Sequence, residues 1–261
     1  MPTLFVSHGA PTMAVGEGPG ALQMRRAGTT LPRPTAILMV SAHWIAPAPT
    51  FATAPRPATL HDFRGFPRSL YELSYPAPGA PEVARLGADL LEAHGIASAL
   101  DPERGFDHGV WSPLMLLYPG ADIPVVCLSL AASLDPARHL AMGRALAPLR
   151  ERGVMIVASG GATHNLGEVD PAGGTPPDWA VAFDRWLAER LEAGDVDGLV
   201  DWERSAPHAM TAHPTPEHFV PLLVAVGAAG DSFAAQRLVD AFEWGSLSLA
   251  AWRFEEPTMY P

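Results

Sequence analysis

The chain contains no lysine, so all seventeen of its basic residues are arginine. That absence removes several chemistries at once. Without a lysine there is no Schiff base, which excludes ordinary pyridoxal phosphate enzymes and imine-forming aldolases. A Walker A phosphate loop is excluded for the same reason. Cysteine is almost as scarce. The single Cys127 lies in the apolar stretch Ile123 to Leu128, so an intrachain disulfide and cysteine-rich zinc sites are impossible. A nucleophilic thiol needs an electropositive, partly open setting, and these neighbours are apolar. Long hydrophobic runs are missing too: none approaches the roughly 18 residues of a membrane span, so no membrane partner is expected. Positive charge is in deficit, with a formal net charge of -11, which argues against nucleic acid as a partner. The opening residues Met1 to His8 show neither a basic n-region nor a cleavage site, which predicts a cytoplasmic protein.

What remains is a chain of 261 residues, 48% hydrophobic, enough for a substantial core. Short apolar runs at Leu4 to Val6, Ala36 to Val40, Ile123 to Leu130 and Val154 to Ala158 read as buried strands. Between them lie segments of helical spacing. Pro81 to His94 sets Val83, Leu86, Leu90 and Leu91 on one face, with Gly95 as its stop. Pro136 to Arg150 follows a capping Asp135 and ends before Gly153, and Asp178 to Leu191 runs on towards Gly194. Pro216 to Val226 reads as a largely buried helix. Strands alternating with helices predict an α/β protein. The proline-rich stretches 46–57 and 75–81 are interrupted or flanked by aromatic and charged residues, and no repeat or low-complexity tail is present. Residues 1–261 therefore read as a single catalytic domain. No feature of the sequence specifies an oligomeric state.

Ten histidines are the conspicuous chemical resource. Three of them follow the strand-like runs: His8 in Ser7-His8-Gly9-Ala10-Pro11, His43 in Ser41-Ala42-His43-Trp44, and His164 in Ser159-Gly160-Gly161-Ala162-Thr163-His164-Asn165. In α/β sheets ligands gather beyond the carboxyl ends of strands, so side chains delivered there by separate strands can converge on one point. His108, in Phe106-Asp107-His108-Gly109-Val110-Trp111, and His213 to Phe219 add further histidines. Glu217 and His218 would point about 100° apart on a helix, so only one of them should face a shared centre. The others have blander readings. His94 is the polar end of a helix, His139 a solvated helical position, and His61 and His208 carry no pattern of their own. Neutral imidazoles suit Fe(II), zinc and copper, and three of them leave coordination positions open for chemistry. Spacing alone does not choose the reaction.

The motifs together resemble one family. Ser7 to Pro11, Ser41 to Trp44, Asp62-Phe63-Arg64-Gly65-Phe66-Pro67, Tyr75-Pro76-Ala77-Pro78-Gly79, Asp107 to Trp111, Gly160 to Leu166 and His213 to Phe219 are similar, in order, to class III extradiol ring-cleavage dioxygenases of the 4,5-DOPA dioxygenase branch. The resemblance implies a sandwich with a central, mostly parallel mixed sheet flanked by helices. It implies His8, His43 and His218 as metal ligands, and His164 as acid/base and a fourth ligand when substrate is absent. It makes His108 a second active-site histidine. Protocatechuate-cleaving relatives use two histidines and a glutamate; here His218 takes the third place, and adjacent Glu217 is the lesser candidate. The implied cofactor is Fe(II) for activity, with Zn(II) as the metal held on isolation, and the implied partners are a small catechol and O2. Arg64 and Arg68 are candidates to hold a substrate carboxylate. A zinc hydrolase on the same site and a non-enzymatic, Memo-like binding protein are the alternatives.

Overall fold

The structure is a computed structural model that describes residues 1–257. Ten strands follow in chain order: β1 (Thr3–Ser7), β2 (Ala36–Ala46), β3 (Thr50–Ala52), β4 (Ala99–Asp101), β5 (Val125–Ala131), β6 (Val154–Gly160), β7 (Ala234–Val239), β8 (Phe242–Glu243), β9 (Leu247–Ser248) and β10 (Ala251–Glu255). The helices are α1 (Pro19–Thr30), α2 (Pro81–Ala93), α3 (His108–Leu117), α4 (Pro136–Leu146), α5 (Asp178–Ala193), the short α6 (Val196–Val200), α7 (Trp202–Ser205) and α8 (Ala209–Ala212), and α9 (Pro221–Ala229). Eight strands form one sheet in the order β4-β3-β5-β2-β6-β1-β10-β7, while β8 and β9 make a separate hairpin. Its centre, β5-β2-β6-β1, is parallel. Antiparallel joints β5/β3 and β1/β10 lie on either side of that centre. The expected mostly parallel mixed sheet is therefore present.

Both faces of the central strands are covered, which is why they read as unbroken apolar runs instead of alternating ones. Phe5, Leu38, Val40, Val126, Leu128 and Ile156 enter the core shared with α2, α4, α5 and α9. Their neighbours Leu4, Val6, Ile37, Met39, Cys127 and Val157 face the opposite core, with Met24 of α1 and Val110, Trp111 and Leu114 of α3. Cys127 is buried there, and burial pushes its thiol well above the usual range, which leaves it inert as a nucleophile at neutral pH. Among the described residues no helix is long and apolar enough to cross a membrane.

Three expectations need correction. The segment expected as one helix from Pro136 to Arg150 is α-helical only to Leu146 and then tightens into a 3-10 turn, Ala147–Arg152. Pro148 lacks the N–H that would continue the α ladder and crowds the carbonyl one turn back. Proline also divides the expected helix from Pro216 to Val226. Pro216–His218 is a 3-10 turn, and α9 begins only at Pro221 and runs to Ala229. Finally, His139 is fully buried, not solvated. Its Nε2 accepts the Ala131 N–H at 3.1 Å while Nδ1–H donates to the Asp135 carbonyl at 2.7 Å, so the imidazole fastens α4 to the end of β5. His94, by contrast, does cap the end of α2, with Nδ1 at 2.8 Å from the Leu90 carbonyl.

Candidate metal and active site

The carboxyl ends of β1, β2 and β6 lie side by side in the sheet, and each delivers part of one site. His8 directly follows β1, and Gly9 turns the chain away in the left-handed region at φ 60°, a conformation that glycine adopts without steric cost. β2 gets its histidine into place by breaking register. Ser41 pairs with Ser129 and Ile45 with Leu130 on β5, so Ala42, His43 and Trp44 are extra residues bulged out of the ladder. Bulges re-aim side chains, and this one is pinned from behind. Ser41 Oγ–H donates to Asp107 Oδ1 at 2.6 Å, the His43 N–H donates to Ser41 Oγ at 3.2 Å, and Arg104 donates to Asp107 Oδ2 at 2.7 Å.

The end of β6 receives the fourth segment. Gly160 approaches the 3-10 turn carrying His218 so closely that a Cβ there would stand 2.1 Å from the His218 carbonyl oxygen. That carbonyl accepts the Gly161 N–H at 3.0 Å. The loop after β6 then brings in His164, whose N–H donates to the Ala212 carbonyl at 2.9 Å. Its ring stacks flat on His218, with centroids 3.4 Å apart and planes at 5°. Buried His213 supports this loop from beneath, its Nε2–H donating to the Ala162 carbonyl at 3.1 Å.

Five of the imidazoles expected at the site thus meet. Ring centroids of His8, His43 and His218 form a triangle with sides of 4.8, 5.2 and 5.0 Å. His108 joins it at 4.0 Å from His43 and 5.3 Å from His8. Judged by ligand atoms alone, His8, His43 and His108 form one group within 4.8 Å, and His164, Glu217 and His218 form another. The groups adjoin, and the hydrogen bonds show which nitrogens are free to bind.

Ser159 Oγ–H is committed to the Gly109 carbonyl, so at 3.0 Å it must accept from His8 Nδ1–H. Glu217 Oε1 accepts from His218 Nδ1–H at 2.9 Å, and Asp62 Oδ1 accepts from both His108 Nδ1–H and the His108 backbone N–H at 2.9 Å. Each of these imidazoles therefore carries its proton on Nδ1 and turns an Nε2 lone pair inward. Fixing the tautomer through the outer nitrogen in this way is how proteins prepare histidine ligands.

The inward nitrogens fit a cation. His218 Nε2 is buried with no hydrogen-bond partner among the described residues, an expensive state for a polar atom unless something binds it. His8 Nε2 and His43 Nε2 face each other at 2.9 Å. A neutral His43 bridges that gap with an Nε2–H, or, with its proton on Nδ1 towards Asp62 Oδ2 at 3.7 Å, leaves both lone pairs to a cation. Neither ring takes the second proton that would repel a cation, because burial and the neighbouring imidazoles push His8 well down and His43 down to about 2. His218 is lowered by burial, and His164 is lowered to about 3 by burial and by His218. The carboxylates beside them stay charged. The His218 hydrogen bond holds Glu217 down to about 2; at Asp62 burial pushes the carboxyl up, but the His108 bonds outweigh it and bring it to about 2.

A family model for the catalytic LigB subunit of aromatic ring-opening dioxygenase matches residues 3–246. The chain belongs to that family. It is 43% identical over 262 residues to a 4,5-DOPA dioxygenase extradiol of Beta vulgaris, covering 97% of this chain and 96% of that one. A protein of the same name from Escherichia coli K12 is 40% identical over 257 residues, covering 95% and 93%. The crystal structure of an uncharacterized protein from Escherichia coli K12 matches with a TM-score of 0.82 at 38% identity, over 97% of this chain and 99% of that one.

In this ring-opening dioxygenase the histidines face a cavity of about 350 Å³, the size of a small-ligand site. Phe63, Phe66, Leu166, Trp244, Leu247 and Leu249 wall it. Arg64 and Arg68 do not line it: both are exposed, and Arg68 is 92% exposed and paired with Glu72 at 3.3 Å. His61 lies outside as well, 3.1 Å from the Leu73 carbonyl. Sequence reasoning left Ser159 and Asp62 without roles, although both stand inside the quoted motifs. A serine immediately before the glycines of a strand end was the available signal for Ser159. Nothing local marks Asp62, which reaches His108 across 46 residues of chain.

Proposed function

We propose that the protein is a metal-dependent extradiol dioxygenase that opens a catechol-type ring with O2, using His8, His43 and His218 to hold the metal. The convergence of the Nε2 atoms of His8, His43 and His218, one of them buried and unpartnered, carries this reading. His218 is preferred to His108 as third ligand because its Nε2 is the orphaned atom and His108 lies against the side of His43. Fe(II) bound there would supply a redox-active Lewis acid with open positions for both catechol oxygens and for O2. Zinc would bind the same nitrogens and is the metal expected on isolation in air.

The remaining residues handle protons and position. His164 shares the cavity, and its ring makes no hydrogen bond to a described residue, so its nitrogens are free to take a catechol proton and return it as the ring opens. His108 is the second such group. Asp62 accepts its Nδ1–H, which leaves Nε2 as a base and stabilises the imidazolium that forms. Glu217 acts through His218, as a carboxylate that aims the ligand. The apolar walls exclude water from the reacting ring. Membership of the ring-opening family sets the zinc hydrolase and the binding-protein alternatives aside.

The test is anaerobic loading with Fe(II), followed by O2 uptake across a catechol panel. A yellow semialdehyde product, from cleavage outside the diol, is expected. A dicarboxylic muconate, or no uptake with Fe(II) verified in the site, would defeat the proposal.

A further inference from the structure

We infer that Asp62 is a positioning residue for the metal site: its carboxylate takes a hydrogen bond from His43 Nδ1 and so turns that ring from a donor towards His8 into a metal ligand. This rests on the reading of His8, His43 and His218 as ligands above. Two of those rings have a fixed partner for the outer nitrogen. Ser159 accepts from His8 Nδ1–H at 3.0 Å, and Glu217 accepts from His218 Nδ1–H at 2.9 Å. The hydrogen bonds of His43 run only through its backbone and Nε2. Its Nδ1 faces Asp62 Oδ2 at 3.7 Å, just outside hydrogen-bonding distance.

The neighbours leave His43 two neutral forms. His8 Nε2 is a lone pair, because Ser159 holds the His8 proton on Nδ1. At 2.9 Å His43 can meet that lone pair with an Nε2–H, and in this form Nε2 cannot bind a metal. Moving the same proton to Nδ1 changes no net charge. It frees Nε2 beside the nitrogens of His8 and His218 and points an N–H at Asp62 Oδ2. The nitrogen that an imidazole offers to a metal is set by the hydrogen bond the other one makes. Closing the 3.7 Å gap takes a movement of less than about 1 Å, and the last torsion of an aspartate is soft.

Chain packing puts the carboxylate in place. The Phe106 N–H donates to the Ala58 carbonyl at 2.8 Å, the Leu60 N–H to the Phe106 carbonyl at 2.7 Å, and Trp111 Nε1–H to the Leu60 carbonyl at 2.9 Å. Gly105 permits this approach, since a Cβ there would stand 2.2 Å from the Ala58 carbonyl oxygen. Asp62 Oδ1 is then anchored by two donors of His108, Nδ1–H and the backbone N–H, each at 2.9 Å. The rings of His43 and His108 lie 4.0 Å apart, so one carboxylate serves both, with Oδ2 left for His43. The backbone N–H sets the direction. Unlike an imidazole it cannot exchange its proton for a lone pair, so the residue at position 62 must turn an oxygen towards it.

That constraint makes asparagine the harsher substitution. In Asp62→Asn the amide oxygen stays on the His108 N–H, so the amide NH2 faces His43 Nδ1, donates to it and locks the proton on Nε2. Asp62→Ala leaves His43, whose side chain is 23% exposed, to donate from Nδ1 to solvent. Zinc affinity, measured by competition with a chelator, should fall about 10-fold in Asp62→Ala and about 100-fold in Asp62→Asn, the two ends of the range for the outer partner of a histidine ligand. A merely structural carboxylate would give the opposite order, because asparagine keeps its shape. Nitrogen-15 NMR of the histidine-labelled parent reads the proton directly. On zinc binding His43 Nδ1 should pass from unprotonated to protonated, with its signal assigned by its absence from His43→Gln. Thermal melting checks that the variants fold, and the parent spectrum decides the matter if they do not. Zinc binding by Asp62→Asn as tight as that by Asp62→Ala, or an unprotonated His43 Nδ1 in the zinc-loaded parent, would overturn the inference. If both expected results hold and the Fe(II)-loaded parent cleaves no catechol, the role of Asp62 stands and the ring-cleavage reading falls.

Discussion

Replacing Gly160 by alanine tests the geometry of the site without touching any side chain in it. The added Cβ would lie 2.1 Å from the His218 carbonyl oxygen, 3.1 Å from its carbonyl carbon and 3.3 Å from Phe5 Cε2. Carbon and oxygen in favourable contact stay about 3.3 Å apart or more, so the two backbones must separate by roughly 1 Å. That movement stretches the Gly161 N–H to His218 carbonyl hydrogen bond, now 3.0 Å, and carries the His218 ring with it. Metal–nitrogen bonds tolerate only about 0.2 Å of displacement. The expected result is loss of most bound metal and a fall in activity of at least ~100-fold, the usual cost of a 1 Å misplacement. Stability should fall by about 1–3 kcal/mol from overpacking, a melting shift of roughly 2–4 °C per kcal/mol in a chain of this size. Elemental analysis, O2 uptake and thermal melting on one preparation read all three. Gly18→Ala is the control, because nothing lies within 4 Å of the Cβ it would add. A Gly160→Ala protein with stoichiometric metal and normal turnover would refute the claim that this close approach places His218.

Three further outcomes are expected. His43→Ala and His218→Ala should lose both metal and turnover, whereas His164→Ala and His108→Ala keep most of the metal and lose turnover; metal loss in His164→Ala equal to that in His43→Ala would make His164 a true ligand. Glu217→Gln removes the charge that holds the His218 Nδ1 proton but keeps an acceptor, so metal affinity should weaken about 10- to 100-fold with the melting point nearly unchanged, as equilibrium dialysis and melting would show. Burial and its neighbours bring His213 down to about 3 from 6.5, so below pH 6.5 the unfolded chain takes up protons that the folded one refuses, and stability falls as pH falls. Between pH 7.5 and 5 the apoprotein should lose ~2 kcal/mol through this group, about 1.36 kcal/mol for each pH unit below 6.5; urea unfolding of a His213→Gln variant that loses as much as the parent would show that another group is responsible.

Where local pattern decides structure, the chain was readable. The four central strands are apolar on both faces, and three of the site's histidines follow directly on those runs or on the loop just beyond. The readings that failed turn on what lies far away in sequence. His139 looks like a polar helix position until the unpaired Ala131 N–H of β5 packs against it. Asp62 gains its role only when the loop carrying it folds over the N-terminus of α3. β7 and β10 were not anticipated. The exposures of β7 alternate weakly along an edge strand, and β10 was hidden among small residues and tryptophan. Prolines 148 and 221 are locally visible, and each divides a helix that the apolar spacing around it would continue.

The strand order also sets when the site can exist. β1, with His8 at its end, lies between β6, which closes at Gly160, and β10, which begins at Ala251. A ribosome therefore emits His8 long before Val154, where the first neighbour of that strand begins, and longer still before Ala251, where the second does. His218 comes between the two. Until Val154 appears the N-terminal strand is an apolar segment with two open edges, the kind of exposure that invites aggregation in slow-folding, long-range topologies. Pulse-labelling of nascent chains should find Thr3–Ser7 fully protected only after β10 has emerged, which makes metal capture a late event in the folding of this domain.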